Sequence, residues 1–501
     1  MDAIAILIFL SSGLFLGWSL GANDAANVFG TAVGSRMVKF STAAFICSIF
    51  VIIGAVVGGA GAAAGLGELG AVNTIAGAFT AAFAAALTVF WMTKIGLPVS
   101  TTQAVVGAII GWNQFSGSIT DTDTLIKILG TWVACPILGA IFAAGLYLVV
   151  IAILDRLRLH LLRLDLYTRA GLILAGAFGS LALGANNIGN VMGVFVSSSP
   201  FTNFNIGSVS ISSVQQLFLM GGIAIAIGVY TYSKRVMMTV GNSLMPLSPV
   251  AAFVVVVAHS LVLYIFSSTG LESLLANAGL PTIPLIPVSS SQAVVGGVIG
   301  IGLLKGIKSA RQIRWRVLLG IASGWVSTPI IAAIISLVML FILQNVFNQP
   351  VYQSVEYQLS QTVLNKLEQV GIPTEPLQDI SDRTISGGVN FRDEVRARMT
   401  LDKKQEKQLL SLAQIHLIYI DPFQIKNLNT SYLNSDQIRA IGRLSGRTFF
   451  HRWQLAEALA EESESWQFQP PITRYKDDNT KLQQQLNYVG DRFHAPLRMV
   501  N

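Results

Sequence analysis

The sequence predicts an all-α polytopic membrane protein: two inverted-topology repeats with broken or re-entrant helices, followed by a soluble, mainly helical C-terminal tail. Three observations carry this reading. The 501-residue chain is 52% hydrophobic and 12% charged, with a mean hydropathy of +0.60, which is not the composition of a soluble enzyme. Three segments recur in the same order: LGANDAANVFGTAVGS from Leu20 and LGANNIGNVMGVFVSS from Leu183, PVSTTQAVVGAIIG from Pro98 and PVSSSQAVVGGVIG from Pro287, and, more loosely, TWVACPILGAI from Thr131 and GWVSTPIIAAI from Gly324. Basic residues also fall in alternate loops, the pattern that marks a cytoplasmic side.

Spans need about 20 mostly apolar residues, and ten apolar segments meet or approach that length. In the first repeat, residues 1–154, they run roughly 4–29, 40–61, 71–92, 95–112 and 125–154. Residues 155–169 form a basic cytoplasmic loop. In the second repeat, residues 170–347, they run roughly 170–196, 214–232, 249–267, 283–304 and 317–347. Arg36 and Lys39, Lys94, Arg156 to Arg169, Lys234 and Arg235, and Lys305 to Arg316 lie in alternate connections, so those connections read as internal and the N-terminus as external. Five segments per half, an odd number, invert the second copy. The apolar run at the N-terminus lacks a basic region and a small-residue cleavage site and reads as a retained span. Cys47 and Cys135 sit in apolar runs and read as small core hydrophobes.

All of the formal charge of +7 belongs to residues 1–350, which carry 15 Lys/Arg against 8 Asp/Glu. Nucleic acid is therefore not an expected partner. Residues 348–501 are richer in Gln, Asn and charge, with apolar residues at helical spacing in 355–370, 403–418 and 449–459, and a helix start at Asn434. The same alternation places this tail outside the cytoplasm, and it holds no catalytic motif.

The duplicated motifs carry the chemistry. Asp24 is the one acidic residue inside a long apolar segment, and a carboxylate at membrane depth faces a bundle interior and marks a transport path. Asn23 and Asn27, with Asn186, Asn187 and Asn190 from the second copy, add amide oxygens of the hard type that Na⁺ accepts. Ser100, Thr101 and Thr102 follow Pro98 where a break and a helix N-terminus are expected, and Ser289, Ser290 and Ser291 repeat them. Free backbone N–H groups, the positive end of a helix dipole and hydroxyl donors suit an oxyanion. No Lys or Arg stands beside these motifs to neutralise such an anion. A cation held at Asp24 solves both charge problems, and each ion then lowers the electrostatic cost of the other.

These motifs resemble the duplicated signatures of the inorganic phosphate transporter (PiT) family, over about residues 1–345. The resemblance implies a site shared by two inverted repeats, phosphate moved with Na⁺ or H⁺, and cation and phosphate binding at Asn23, Asp24, Asn27, Ser100, Thr101, Thr102 and their second-half equivalents. The chain departs from the family pattern in two places. Asn187 stands where the second signature usually has Asp, and Gln103 and Gln292 stand where the family's motif usually ends in His. Loss of those His residues favours Na⁺ over H⁺.

The expected function is import of inorganic phosphate by symport with a cation, sodium first. Proton coupling or a sulfate-type oxyanion permease is the alternative, and a membrane-bound phosphate sensor is the alternative from another class. The expected partners are phosphate, sodium, the lipid bilayer and a second copy in a homodimer. No cofactor is expected, and the absence of paired acid and base groups, metal clusters and nucleotide loops argues against an enzyme.

Overall fold

Helix α1 (Ala3–Gly34) runs unbroken through the first signature, and at 1.5 Å per residue its 32 residues exceed the roughly 30 Å of a bilayer's hydrocarbon core. The computed structural model describes residues 3–70, 72–94, 99–201, 204–206, 209–243, 247–304, 306, 314–426, 428, 433–470 and 475–495. The first half continues with α2 (Phe40–Gly58), α3 (Ala60–Gly67), α4 (Ile75–Lys94), α5 (Thr101–Ser116) and α6 (Thr122–Leu157). The second half holds α7 (Leu161–Met192), α8 (Ser213–Ser243), α9 (Pro249–Ser267), α10 (Thr269–Asn277), α11 (Ser290–Leu304) and α12 (Trp315–Asn345).

Among the described residues, eight helices are long and apolar enough to cross a membrane, and α11 is a shorter apolar helix. The ten expected segments therefore resolve into eight long spans and two short helices, because the fourth and ninth blocks carry the hydroxyl motifs and start late. Pro281, Pro284 and Pro287 lack the N–H a helix interior needs, and residues 280–289 are accordingly not helical. Gly96 and Pro98 lie outside the described residues. Ser100 caps α5, accepting from Gln103 N, and Gly117 ends it in the left-handed conformation at φ 69°.

The stretch 155–169, expected as a loop, is helical except at residues 158–160. It contains neither Gly nor Pro to stop a helix, and its Leu and Arg are good helix formers. The reversal falls instead on Arg158, at φ 44°, and His160 caps α7.

The two halves pack reciprocally. Helix α1 lies against α8, as α7, its sequence counterpart, lies against α2; α5 lies against α12, as α11 lies against α6. Glycines make these crossings close. A Cβ on Gly21 would meet Ile225 O at 2.0 Å, and one on the equivalent Gly184 would meet Val51 O at 2.1 Å. Gly107 faces Pro329 O at 2.1 Å in the same sense, and Gly296 faces Pro136 O at 2.0 Å. Each hydroxyl-motif helix is thus seated on the last helix of the other half, in the small-residue manner of membrane helices. Gly21 is a packing glycine as well as part of the signature. Cys47 and Cys135 are buried and unpaired.

After α12 the tail forms two small cores, one around Val363, Leu367, Phe391 and Leu409, the other around Ile441, Leu459, Trp466 and Val489. Residues 355–370, expected as one helix, instead give a strand at Glu356–Gln358, paired antiparallel with Thr384–Ser386, before a helix at Gln361–Gln369. Tyr357 alone of the three is buried, the alternation of a strand. Helices at Lys403–Ala413, Ser435–Arg443 and Arg452–Glu462 fall in or beside the other expected stretches, but 403–418 ends in a strand at Ile418–Tyr419 that pairs antiparallel with Thr448–Phe449 at the start of 449–459, and Asn434 closes a capping box with Gln437. The first core sits on the α5–α6 turn: Val389 N donates to Gly117 O, and Lys403 and Lys407 reach Asp123 and Asp121. Trp112 of α5 also donates to Val351 O at 3.0 Å.

Candidate functional site

Asn23, Asp24 and Asn27 occupy one helical turn of α1, and Asn186, Asn187 and Asn190 occupy the matching turn of α7. All six are buried, Asp24 at 3% exposure. Spacing of four residues puts Asn23 with Asn27, and Asn186 with Asn190, on one helix face. The short helices α5 and α11 begin at the same place, so Ser100, Thr101, Thr102, Ser289, Ser290 and Ser291 are buried there too.

Bonds across the halves tie these residues into one cluster. Asn27 Nδ2 donates to Ser290 Oγ at 3.0 Å, and Asn190 Nδ2 donates to Thr102 Oγ1 at 2.9 Å. Asn23 donates to Val99 O at 3.4 Å, and its counterpart Asn186 to Val288 O at 2.9 Å, so each signature holds the unwound residue just before a hydroxyl motif. Asn187 Nδ2 points at Asp24 Oδ2, 3.5 Å away, while Asn187 Oδ1 accepts from Asn186 and Asn190. This orientation differs from the expected one. Asn187 presents an N–H to Asp24 and turns its oxygen toward its own helix, so its oxygen is already committed to neighbouring amides.

Asp24 otherwise receives one N–H from Asn23 at 3.3 Å, and no Lys or Arg among the described residues pairs with it. Two long amide contacts are weak compensation for a buried carboxylate. The hydroxyls are not alike: Ser290 and Thr102 are bonded across the halves, Thr102 Oγ1 also donating to Val288 O at 3.3 Å, and Ser291 Oγ lies 3.2 Å from Ser289 Oγ. Ser100 and Ser289 cap their own helices, accepting from Gln103 N at 3.5 Å and Gln292 N at 3.3 Å. Thr101 Oγ1, by contrast, is buried without a hydrogen-bond partner among the described residues, as are Asn190 Oδ1, both amide atoms of Gln103 and Gln292 Oε1. Buried polar atoms are rarely left so, and each calls for a partner such as an ordered water or a ligand.

The sequence model of the phosphate transporter family matches residues 20–336 and 278–417. The chain belongs to the phosphate transporter family. It is 30% identical over 337 residues to a protein of Methanocaldococcus jannaschii named "Putative phosphate permease", covering 67% of this chain and 97% of that relative. A protein of the same description from Pyrococcus furiosus is 27% identical over 383 residues, covering 61% of this chain and 89% of the relative. Among solved structures, one named "The sodium-dependent phosphate transporter" is 23% identical with a TM-score of 0.53, covering 68% of this chain and 99% of that one, a likeness of fold.

This phosphate permease is therefore a multi-pass membrane transport protein and not an enzyme. The second matched stretch reaches residue 417, beyond the limit near 345 expected from the motifs alone. The Methanocaldococcus relative and the solved transporter leave about a third of the permease outside their matches, and the Pyrococcus relative leaves nearly two fifths.

Sequence reasoning missed one site residue of the permease. His259, in the middle of α9 and fully buried, brings Nε2 within 2.8 Å of Ser290 Oγ. The signal was present, because among the chain's five His only His259 falls inside an apolar segment. An imidazole thus stands at the site despite the Gln residues that end both hydroxyl motifs.

Proposed function

We propose that the permease imports inorganic phosphate in symport with sodium. Phosphate would be held between the N-terminal turns of α5 and α11, by Thr101, Thr102, Ser290 and Ser291 with Ser100 and Ser289 shaping the turns, and Na⁺ by Asp24 with oxygens of Asn23, Asn27 and Asn190, while Asn186 and Asn187, whose oxygens accept from Val288 N and from neighbouring amides, would have to turn to join them. The single observation that supports this best is the cross-half cluster, in which Asn27 bonds Ser290, Asn190 bonds Thr102, and Asp24 lies against Asn187. Hydroxyl donors and the lone carboxylate thereby share one buried site without a Lys or Arg among the described residues. A cation at Asp24 supplies the missing positive charge, and binding of the two ions becomes mutually favourable. Sodium is also the ion that the related solved transporter is named for.

Reciprocal packing of α1–α8 with α7–α2, and of α5–α12 with α11–α6, supports two repeats of inverted topology. The tail's contacts with Gly117, Asp121 and Asp123 put it beside a connection that is not basic, which supports an extracytoplasmic tail and N-terminus. Asp24 as a hydrogen-bond acceptor favours phosphate, which can donate a proton, over sulfate, which cannot.

The test is uptake of labelled phosphate into proteoliposomes with an imposed Na⁺ or H⁺ gradient and sulfate or arsenate as competitor. Uptake driven by Na⁺ at equal pH is expected. Uptake driven only by H⁺ would replace sodium by the proton, and equal competition by sulfate would overturn the phosphate assignment.

A further inference from the structure

We propose that His259 is a positioning residue of the anion site, which together with Asn27 forces the Ser290 hydroxyl to donate its proton to the transported oxyanion. The inference rests on the reading that Ser290 holds the anion.

A serine hydroxyl has one proton to give and two lone pairs to receive with. Asn27 Nδ2 uses one lone pair of Ser290 Oγ at 3.0 Å, and His259 Nε2 stands 2.8 Å away. What His259 does there depends on which nitrogen carries its hydrogen. Nδ1 is buried and has no partner among the described residues. Were the hydrogen on Nδ1, a buried N–H donor would be orphaned and the Ser290 proton would be consumed by Nε2. With the hydrogen on Nε2, only a lone pair is left over at Nδ1, the smaller loss, because orphaned N–H groups are the rarer of the two. His259 then donates, both lone pairs of Ser290 are occupied, and the Ser290 proton must leave toward a third acceptor. In the first half the equivalent hydroxyl, Thr101 Oγ1, has no partner among the described residues to fix its proton. One half-site is thus fixed as a donor and the other adapts.

Asn27 gives this arrangement a second effect. As long as its Nδ2 is engaged by Ser290, its Oδ1 is the atom left for the cation side of the site. Ser290, held by His259, therefore also orients Asn27.

The experiment measures inorganic phosphate binding and initial uptake rates for the purified full chain at saturating Na⁺, in His259→Leu, His259→Gln, Ser290→Ala and the double variant His259→Leu/Ser290→Ala. Removing the donor in His259→Leu is expected to raise the phosphate Kd and KM about tenfold, the scale of one lost charge-assisted hydrogen bond, with the maximal rate changed by less than about threefold. His259→Gln keeps an N–H donor and is expected to recover most of the affinity. The double variant should bind no more weakly than Ser290→Ala, because His259 acts only through that hydroxyl. Additive losses, or a Gln variant as weak as the Leu variant, would overturn the positioning role while leaving the anion site in place. Wild-type binding by Ser290→Ala would instead remove the anion-site reading itself.

Discussion

Replacing Asn187 with Asp sets two carboxylates face to face at the junction of the halves. Asn187 Nδ2 lies 3.5 Å from Asp24 Oδ2, so a charged oxygen in its place would repel Asp24 by about 5 kcal/mol at an effective dielectric constant of ~20. That is between three and four orders of magnitude in an equilibrium constant at about 1.4 kcal/mol per decade. Two such groups do not ionise together unless a cation or a proton lies between them. The fold should survive, because the second Asp oxygen can still accept from Asn186 and Asn190, as Asn187 Oδ1 does. Asn187→Asp is therefore expected to bind one more cation per cycle, and to lose phosphate affinity by about tenfold or more when Na⁺ is scarce. The assay is the membrane potential that nulls phosphate uptake at fixed ion gradients, since an added positive charge per turnover shifts it. If the extra cation is a proton, the same shift appears with a new pH dependence. Unchanged cation affinity, phosphate affinity and null potential together would place Asn187 outside the site and refute the two-half-site reasoning for the second half.

Asp24→Asn should abolish Na⁺-driven uptake while the protein stays folded, since it removes a buried charge without changing shape; retained Na⁺ dependence would sink the cation assignment. Thr101→Ala should leave the melting temperature nearly unchanged, as its hydroxyl bonds nothing among the described residues, yet weaken phosphate binding by about 1 to 3 kcal/mol, and binding at the wild-type level would move the anion elsewhere. Gly107→Ala and Gly296→Ala should each cost about 1 to 3 kcal/mol, and by similar amounts, because both force a methyl against a proline carbonyl of the other half; melts in detergent that match wild type would contradict the crossings. In the tail, burial, aided by nearby Arg452 and His494, holds His416 down to about 4, and burial also lowers His451. Their folded values lie below the unfolded value of about 6.5, so the unfolded tail takes up more protons between those limits. Stability is full above about 6.5 and falls by on the order of 3 kcal/mol as pH drops toward 4. Hydrogen exchange of residues 416–420 in the full chain should accelerate over that window, and a flat profile would refute the burial argument.

The site was legible where the chemistry is improbable in its surroundings. Asp24 in an apolar run, and hydroxyls where helices begin, stand out because each costs free energy that packing alone would not incur, and duplication showed that they belong together. His259 escaped for the opposite reason: a single imidazole in a helix is more often a satisfied core residue, and no second copy drew attention to it. The orientation of Asn187 was also beyond reach, since an amide offers N–H or oxygen with equal ease and only its neighbours choose. In the fold, apolar length found the long spans but misjudged 155–169, where Leu and Arg continue α6 and α7 past the point at which hydropathy falls. The strand at Glu356–Gln358 was hidden because its partner, Thr384–Ser386, lies well beyond any local pattern.

Duplication yields two half-sites, yet on the proposed reading the pair works because the halves are unequal. A perfect two-fold would place a carboxylate against a carboxylate at the junction, and the site would bind nothing until cations or protons separated them. Asn187 replaces one of those charges with an N–H that Asp24 can accept. One negative charge then remains for one cation to balance, while phosphate, arriving with one or two charges of its own, is met by donors rather than by a Lys or Arg. The hydroxyls repeat the asymmetry, Ser290 fixed by Asn27 and His259 and Thr101 without a partner among the described residues to fix its proton. A fixed donor selects where the first anion oxygen sits, and an uncommitted one accommodates the protonation state of the next. On this reading the number of cations each phosphate requires is set by how many carboxylates face each other where α1 meets α7, a quantity that one substitution can raise.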